Sequence, residues 1–380
     1  MKQKKINKKI VLFHPHLSEA AKEAARKRMD DRWIGQGPLV DEFELEFERQ
    51  ISHNHKAIAV NSGTSALHLA YILAGIKDGD EVIGPVFTCS ASYSGLLYQR
   101  AKVVFADINK DNLNLNPKHV EELLKARGER VRAIVAVHYG GYLVDMDKIL
   151  AIAKKWNIPV IEDAAQAIGA TYKGKNVGEI SQFTAYSFQA IKSLTTGDGG
   201  MLTIEDPILE EKAKRIRWFG IDRKAKFEDR WKKDIFEIGY KYQMTDIEAA
   251  MGIEGLKDLP NVIDHSKRLF KAYVKGLVRV PGIRVMNRGV LTKKGDTNPT
   301  YWLCTVEVDK KDDLKKKLAE HNIESNETHF RCDRYTIYGG RVYNCPNMDY
   351  LENRYLILPM HWNVTLEDVS RICKIIKSGW

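Results

Sequence analysis

One lysine stands at a corner of the chain where few lysines belong. The stretch SFQAIKSLTTGDGG, residues 187–200, carries Lys192 between a strand-like approach, FTAYSF, and a glycine-rich turn that leads into the apolar run MLTI. A lysine held in a mostly desolvated pocket has a lowered pKa and can form a Schiff base. The plain alternative is a lysine that keeps its ammonium in solvent. Ser187 and the pair Thr195–Thr196 lie close in sequence and can add hydroxyl donors for a phosphate.

Two other stretches carry chemistry of a complementary kind. In NSGTSALHLA, residues 61–70, a strand ends, a glycine comes next and a helix begins. Free N–H groups at a helix N-terminus, with the hydroxyls of Ser62, Thr64 and Ser65, make a seat for phosphate. An ordinary helix cap reads the same way. In IPVIEDAAQAIGA, residues 158–170, an apolar strand ends on Glu162 and Asp163, and Gln166 lies one helical turn later. Carboxylates at strand C-termini in α/β sheets sit where ligands bind. Asp163 can equally cap a helix starting just after it.

Together the three are more specific than any one alone. A phosphate seat, a carboxylate at a strand end and a lysine 29 residues beyond that carboxylate are the contacts that pyridoxal phosphate needs. The carboxylate keeps the pyridine nitrogen protonated, the lysine holds the aldehyde, and the helix N-terminus neutralises the phosphate.

The elements that must position these groups alternate in type. KAIAV, DEVIGPV, AKVVFADI, VRAIVAVHY, IPVIED, FTAYSF and GMLTI read as strands, interleaved with helices such as TSALHLAYILAGI and DMDKILAIAKKWN. That alternation predicts an α/β fold with a mostly parallel, buried sheet flanked by helices. After about residue 250 the pattern changes. A long amphipathic helix, DIEAAMGIEGLKDLPNVIDHSKRLFKAYVKGL, precedes the strand TYWLCTVEV and the helices KKDDLKKKLAEHNI and TLEDVSRICKIIKS. We expect an N-terminal arm with a large domain over 1–255, a smaller C-terminal α+β domain over 256–380, and an exposed loop over 288–299.

Composition excludes several classes. The excess of 60 Lys+Arg over 50 Asp+Glu sits partly in the first nine residues, and no basic stripe is interleaved with aromatics, so a nucleic-acid partner is not expected. The five cysteines are odd in number, widely spaced and form no CxxC pair, which argues for a reducing compartment and against a metal or iron–sulfur centre. No run of 18 apolar residues and no signal-peptide core occurs, so we expect a soluble cytoplasmic protein without a membrane partner.

The chain resembles the sugar-nucleotide aminotransferases of the DegT/StrS type, within fold type I of the pyridoxal-phosphate enzymes. The resemblance covers nearly the whole length: RWIGQGPLVDEFE, NSGTSALHLA, IEDAAQAIGA, SFQAIKSLTTGDGG, GYKYQMTDIEAAMG and LPMHWNVT occur in the family's order and spacing. It implies that Asp163 pairs with the pyridine nitrogen, that Gln166 lies against the cofactor ring or its 3′-oxygen, and that Lys192 is the Schiff-base lysine. Gly63, Thr64, Ser65 and Ser187 fall where the family binds phosphate. Two departures are visible. Where the family often stacks an aromatic ring on the cofactor, PVFTC places Cys89, so either its sulfur packs there or Phe87 or Tyr93 takes over. Where the family often has an asparagine that reaches the neighbouring subunit's cofactor phosphate, this chain has Lys241, with Gln243 in place of a common arginine.

By resemblance, the expected reaction moves the amino group of L-glutamate onto a nucleotide-linked keto-deoxy-sugar, in amino-sugar biosynthesis for glycans. The resemblance also implies a homodimer with shared active sites, Lys241 approaching the partner's cofactor. The stretch ETHFRCDRYTIYGG, residues 327–340, lies where family members contact substrate; His329, Arg331 and Arg334, with Phe87, are the candidate contacts, the two arginines suited to a diphosphate. Two rivals stand beside this reading. One is a sugar-nucleotide dehydratase of the same fold, whose branch carries histidine in place of the lysine. The other is a pyridoxal-phosphate-binding regulator without turnover.

Overall fold

The structure, a computed structural model, describes residues 8–223, 225–289 and 297–380. Most of the basic stretch 1–9 and of the loop expected over 288–299 lies outside the described residues. The chain runs α1 (Glu19–Met29), α2 (Pro38–Phe47), β1 (Lys56–Val60), α3 (Gly63–Leu73), β2 (Glu81–Pro85), α4 (Ala91–Tyr98), β3 (Lys102–Ala106), α5 (Pro117–Arg127), β4 (Val131–Val137), α6 (Met146–Trp156) and β5 (Val160–Asp163). A short hairpin, β6 (Thr171–Tyr172) and β7 (Lys175–Asn176), precedes β8 (Phe183–Ser187) and β9 (Gly200–Ile204). Then come α7 (Ile208–Ile216), α8 (Phe227–Arg230), α9 (Asp246–Leu277), β10 (Ile283–Val285), β11 (Cys304–Val308), α10 (Lys311–Glu320), α11 (Pro346–Leu351), β12 (Tyr355–Leu358) and α12 (Leu366–Lys377).

Seven strands form one sheet in the order β1-β9-β8-β5-β4-β2-β3. Only β9 runs against its neighbours; the pairs β8/β5, β5/β4, β4/β2 and β2/β3 are parallel. Strands covered on both faces must be apolar almost throughout, and β4 accordingly exposes only Arg132. Because β1, β5 and β8 point the same way, their C-terminal ends meet at one edge, where ligands gather in open α/β sheets. The 188–199 connection from β8 to β9 crosses that edge with Lys192 on it.

The second unit is an antiparallel sheet, β10-β11-β12, backed by α10 and α12. The expected strand TYWLCTVEV begins only at Cys304. The position expected to divide the chain, 255/256, falls inside a helix. Helix α9 runs unbroken through it for 32 residues, with Pro260 inside. It starts at a capping box, Thr245 with Glu248, a device worth about 1 kcal/mol. It packs on α1, α2 and α12, and one buried cluster joins Val60 and Leu202 of the large sheet to Val306 and Leu356 of the small one. The fully buried Asp246 at the head of α9 accepts the N–H groups of Gly37, at 2.7 Å, and of Val40, at 3.2 Å. The GQGPLV and MTDIEAAMG stretches therefore belong to one joint, since Asp246 supplies the helix cap that Gly37, lacking a side-chain oxygen, cannot give α2.

Candidate active site

At the end of β1 the chain turns into α3. The Ser62 side chain accepts the Ser65 N–H at 3.1 Å, and the Ser65 hydroxyl donates to Asn61 Oδ1 at 2.7 Å. The capping reading is thus true of Ser62. It leaves the N–H groups of Gly63 and Thr64 without partners inside the helix. A Cβ on Gly63 would lie 2.8 Å from the Ser187 Cβ, and one on Gly200 would lie 2.5 Å from the Ser62 carbonyl oxygen. The missing side chains let β8, β9 and the head of α3 close together, which brings Ser187 against Gly63. Gly63, Thr64, Ser65 and Ser187 therefore form one cradle with a positive helix end behind it. Thr195 and Thr196 do not join it: their hydroxyls donate to the Phe188 and Asp198 carbonyls and close the turn after the lysine.

Asp163 ends β5 and is 6% exposed. Its Oδ2 accepts the Ser92 hydroxyl at 2.6 Å and its Oδ1 accepts the Ala165 N–H at 3.1 Å. Two donors fix the carboxylate in one orientation. Strand alternation sends Glu162 to the other face, where it takes His138 Nε2 at 2.8 Å and the Ser181 hydroxyl at 2.6 Å and ties strands together out of solvent. Ser92 escaped the sequence reading because nothing in TCSASYS separates it from its neighbouring serines.

Lys192 lies on the β8–β9 connection, its Nζ 4.1 Å from the centre of the Trp302 ring. The Trp302 indole N–H donates to the Ile191 carbonyl at 2.9 Å, so the ring is pinned to the lysine's own segment. Burial pushes the Lys192 ammonium down to about 8, against a smaller opposing pull from Asp163 and then Cys89. The residue keeps some exposure along its length. Sequence reasoning missed Trp302 because TYWLC reads as plain strand. Gln166 is 7% exposed; its Oε1 accepts the Gly140 N–H at 2.6 Å and its Nε2 lies 3.0 Å from His329 Nε2. Burial, with the Lys192 charge adding to it, pushes His329 down to about 3.

A lysine with a lowered pKa, a carboxylate fixed by two donors and a cradle of N–H and hydroxyl groups thus stand at one sheet edge. Residues 15–377 match the model of the DegT/DnrJ/EryC1/StrS aminotransferase family. The chain belongs to that family. It is 30% identical to the GDP-perosamine synthase of Escherichia coli O157:H7, over 97% of this chain and 98% of that protein. It is 31% identical to the spore coat polysaccharide biosynthesis protein SpsC of Bacillus subtilis, over 96% of this chain and 95% of that protein. Among solved structures, the putative sugar aminotransferase Spr1654 of Streptococcus pneumoniae in its PMP form superposes with a TM-score of 0.88 at 26% identity, covering 98% of this chain and 97% of that one.

This DegT/StrS aminotransferase is a fold type I, pyridoxal-phosphate-dependent transaminase. Its own residues fit the cofactor: the glycine-lined cradle has donors that would suit a phosphate, Asp163 offers an oriented carboxylate, and Lys192 offers an amine that is partly neutral near neutral pH.

The two departures from the family pattern take definite form. Phe87 is fully buried, edge-on to Tyr139 and Tyr355 at 5.0 and 5.1 Å between centroids. Tyr93 is fully buried too, with its hydroxyl on the Pro85 carbonyl at 2.5 Å. Neither ring offers a free face, which removes both as stacking partners and Phe87 as a substrate contact. Of the three, only Cys89 is partly exposed, and its charge interaction reaches Lys192. Lys241 is exposed, with its Nζ 5.9 Å from the Phe219 ring. Its backbone lies beside the cradle of its own chain, where its carbonyl accepts the Asn61 side-chain amide at 3.1 Å. Tyr240 and Tyr242 stack on each other at 5.0 Å, and the Tyr242 hydroxyl meets His68 Nδ1 at 2.9 Å, so both tyrosines serve as packing.

The expectation that Arg331 meets a diphosphate gives way. Arg331 is 1% exposed and pairs with both oxygens of Asp333 at 2.6 and 2.7 Å, with Asp349 at 2.6 Å and with Glu352 at 3.1 Å. Breaking a buried pair of this kind costs about 3–5 kcal/mol, more than one diphosphate contact at a rim returns. Arg331 clamps the 331–352 segment. Arg334 differs: it is exposed, with its guanidinium 4.6 Å over the Phe330 ring.

Proposed function

We propose that this enzyme transfers the amino group of L-glutamate onto a nucleotide-linked keto-deoxy-sugar, in the cytoplasm, to make amino sugars for glycans. The observation that carries the reading is Lys192, lowered to about 8 within reach of the Asp163 charge. The names of the relatives, a GDP-perosamine synthase and a spore coat polysaccharide protein, support the substrate class. No described helix is long and apolar enough to cross a membrane, and all five cysteines are free, in keeping with the proposed compartment.

Gly63, Thr64, Ser65 and Ser187 would hold the phosphate of the cofactor, Asp163 would pair with its pyridine nitrogen, and Cys89 would lie against its ring. Bound there, the cofactor supplies an electron sink for charge developing on the substrate carbon. Lys192 Nζ would take the proton from the substrate carbon and return it, work that suits an amine with a pKa near the operating pH. Arg334 stands free to meet the diphosphate. Lysine at position 192 speaks against the dehydratase alternative.

Purified holoenzyme mixed with L-glutamate alone should release one equivalent of 2-oxoglutarate per site and lose its yellow colour; nucleotide-linked keto-sugars should then restore the colour. A protein that binds cofactor yet releases no keto acid is the regulator instead. For assembly, we propose a homodimer in which Lys241 complements the partner's cofactor phosphate, the bound phosphate still carrying most of its charge. Mixing Lys192→Ala with Lys241→Glu should regenerate part of the wild-type activity after subunit exchange. No regeneration, with Lys241→Glu fully active alone, would remove Lys241 from the partner's site.

A further inference from the structure

The side-chain amide of Gln166 is oriented from both ends. Its Oε1 accepts the Gly140 N–H at 2.6 Å, so its nitrogen carries the hydrogens, and that nitrogen lies 3.0 Å from His329 Nε2. An amide nitrogen donates and does not accept. His329 Nε2 must therefore accept, and the imidazole is the neutral tautomer with its hydrogen on Nδ1. The surroundings agree. Burial and the neighbouring Lys192 charge both keep His329 neutral, with Asp163 and Cys89 acting on that lysine in turn. The backbone of His329 is itself held: the Tyr355 hydroxyl donates to its carbonyl, and the Tyr139 hydroxyl donates to the Thr328 carbonyl at 2.5 Å. Both phenols are pushed well up by burial, so they stay neutral donors. Among the described residues the second hydrogen on the Gln166 nitrogen meets no protein acceptor.

We propose that His329 is a positioning residue: as a fixed acceptor it turns the Gln166 amide so that its second N–H faces the ring oxygen of the cofactor. The proposal rests on the function proposed above and moves His329 from the candidate substrate contacts to the support of Gln166. A histidine protonated on Nε2, or a side chain with no acceptor, would leave the amide held by the Gly140 N–H alone, with nothing to fix the direction of its nitrogen. A donor held on a phenolate oxygen stabilises its negative charge. The nitrogen linking Lys192 to the cofactor, next to that oxygen, then keeps its proton less tightly. Losing the donor raises the pKa of that nitrogen.

The test tracks the visible absorbance of the holoenzyme against pH in wild type, Gln166→Leu, His329→Leu, His329→Gln and the double Leu variant. We expect Gln166→Leu and His329→Leu each to raise the apparent pKa by about one unit, a tenfold change in proton affinity. The double variant should shift no further than Gln166→Leu alone, since the two act through one contact. His329→Gln, whose Oε1 can stand near the place of Nε2, should titrate close to wild type. Wild-type titration in His329→Leu, or additive shifts, would overturn the proposal. If His329→Leu does not fold, the ¹⁵N spectrum of wild-type His329 at neutral pH decides: hydrogen on Nδ1 supports the assignment and hydrogen on Nε2 overturns it. A protein with no lysine-linked chromophore contradicts the proposed function instead, and the ¹⁵N spectrum still reports on the tautomer.

Discussion

Lys192→Ala loses about 10⁴-fold or more of the wild-type kcat, the upper range for a positioned group that moves protons. The turn after position 192 is locked by Thr195 and Thr196 onto backbone carbonyls, so the segment should keep its shape in the variant. The cradle and Asp163 do not depend on the lysine, so the variant should still bind pyridoxamine phosphate together with a sugar. Steady-state turnover with equilibrium binding separates the two effects, and turnover within tenfold of wild type would exclude Lys192 from catalysis. The pH dependence is also set. With its pKa down at about 8 instead of the usual 10.5, half of the Lys192 amine is neutral near pH 8, so cofactor attachment to the apoprotein should rise with pH to a midpoint there. Between those two values the unfolded chain binds more protons at this site than the folded one, so the apoprotein gains stability as pH rises through the window.

Asp163→Asn keeps the shape and removes the charge. We expect a loss in kcat on the order of a thousandfold, about 4 kcal/mol of transition-state stabilisation, because an amide cannot hold the ring nitrogen protonated. The Ser92 hydroxyl, 2.6 Å from Oδ2, and the Ala165 N–H, 3.1 Å from Oδ1, are both donors. An amide keeps the Ala165 N–H through its oxygen and can donate through its nitrogen to the Ser92 hydroxyl, which then turns its own hydrogen to Thr88, so cofactor affinity should change far less than the rate. Ser92→Ala, which leaves the charge and removes one fixing bond, should cost far less than Asp163→Asn. Near-normal turnover in Asp163→Asn would mean that another group protonates the ring.

Much of this site was legible in the sequence, and the reason is local. A strand that ends on a carboxylate, a glycine at a helix start and a lysine before a glycine turn each announce themselves within a dozen residues. The bounds of α9, Asp246–Leu277, coincide with the amphipathic pattern, because a capping box and an unbroken apolar stripe are written in consecutive positions. What escaped is long-range. That the expected boundary at 255/256 lies within α9, a helix packed on α1, α2 and α12, shows only in the fold. Arg331 looked free because its acids at 349 and 352 lie 18 and 21 positions on and meet it only in the fold. Trp302 reaches Lys192 across 110 positions, and no spacing rule connects them. Phe87 and Tyr93 sit in the right stretch, yet aromatic neighbours from distant segments, Tyr139 with Tyr355 and Phe105 with Tyr338, take up their faces.

The measurement that bears most directly on the account is borohydride reduction of the yellow holoenzyme and then peptide mapping. The account predicts a single pyridoxyl-labelled peptide, carrying the added mass on Lys192 of SFQAIKSLTTGDGG. A label on another lysine, Lys241 included, or no covalent label on a protein that holds the cofactor, would contradict it.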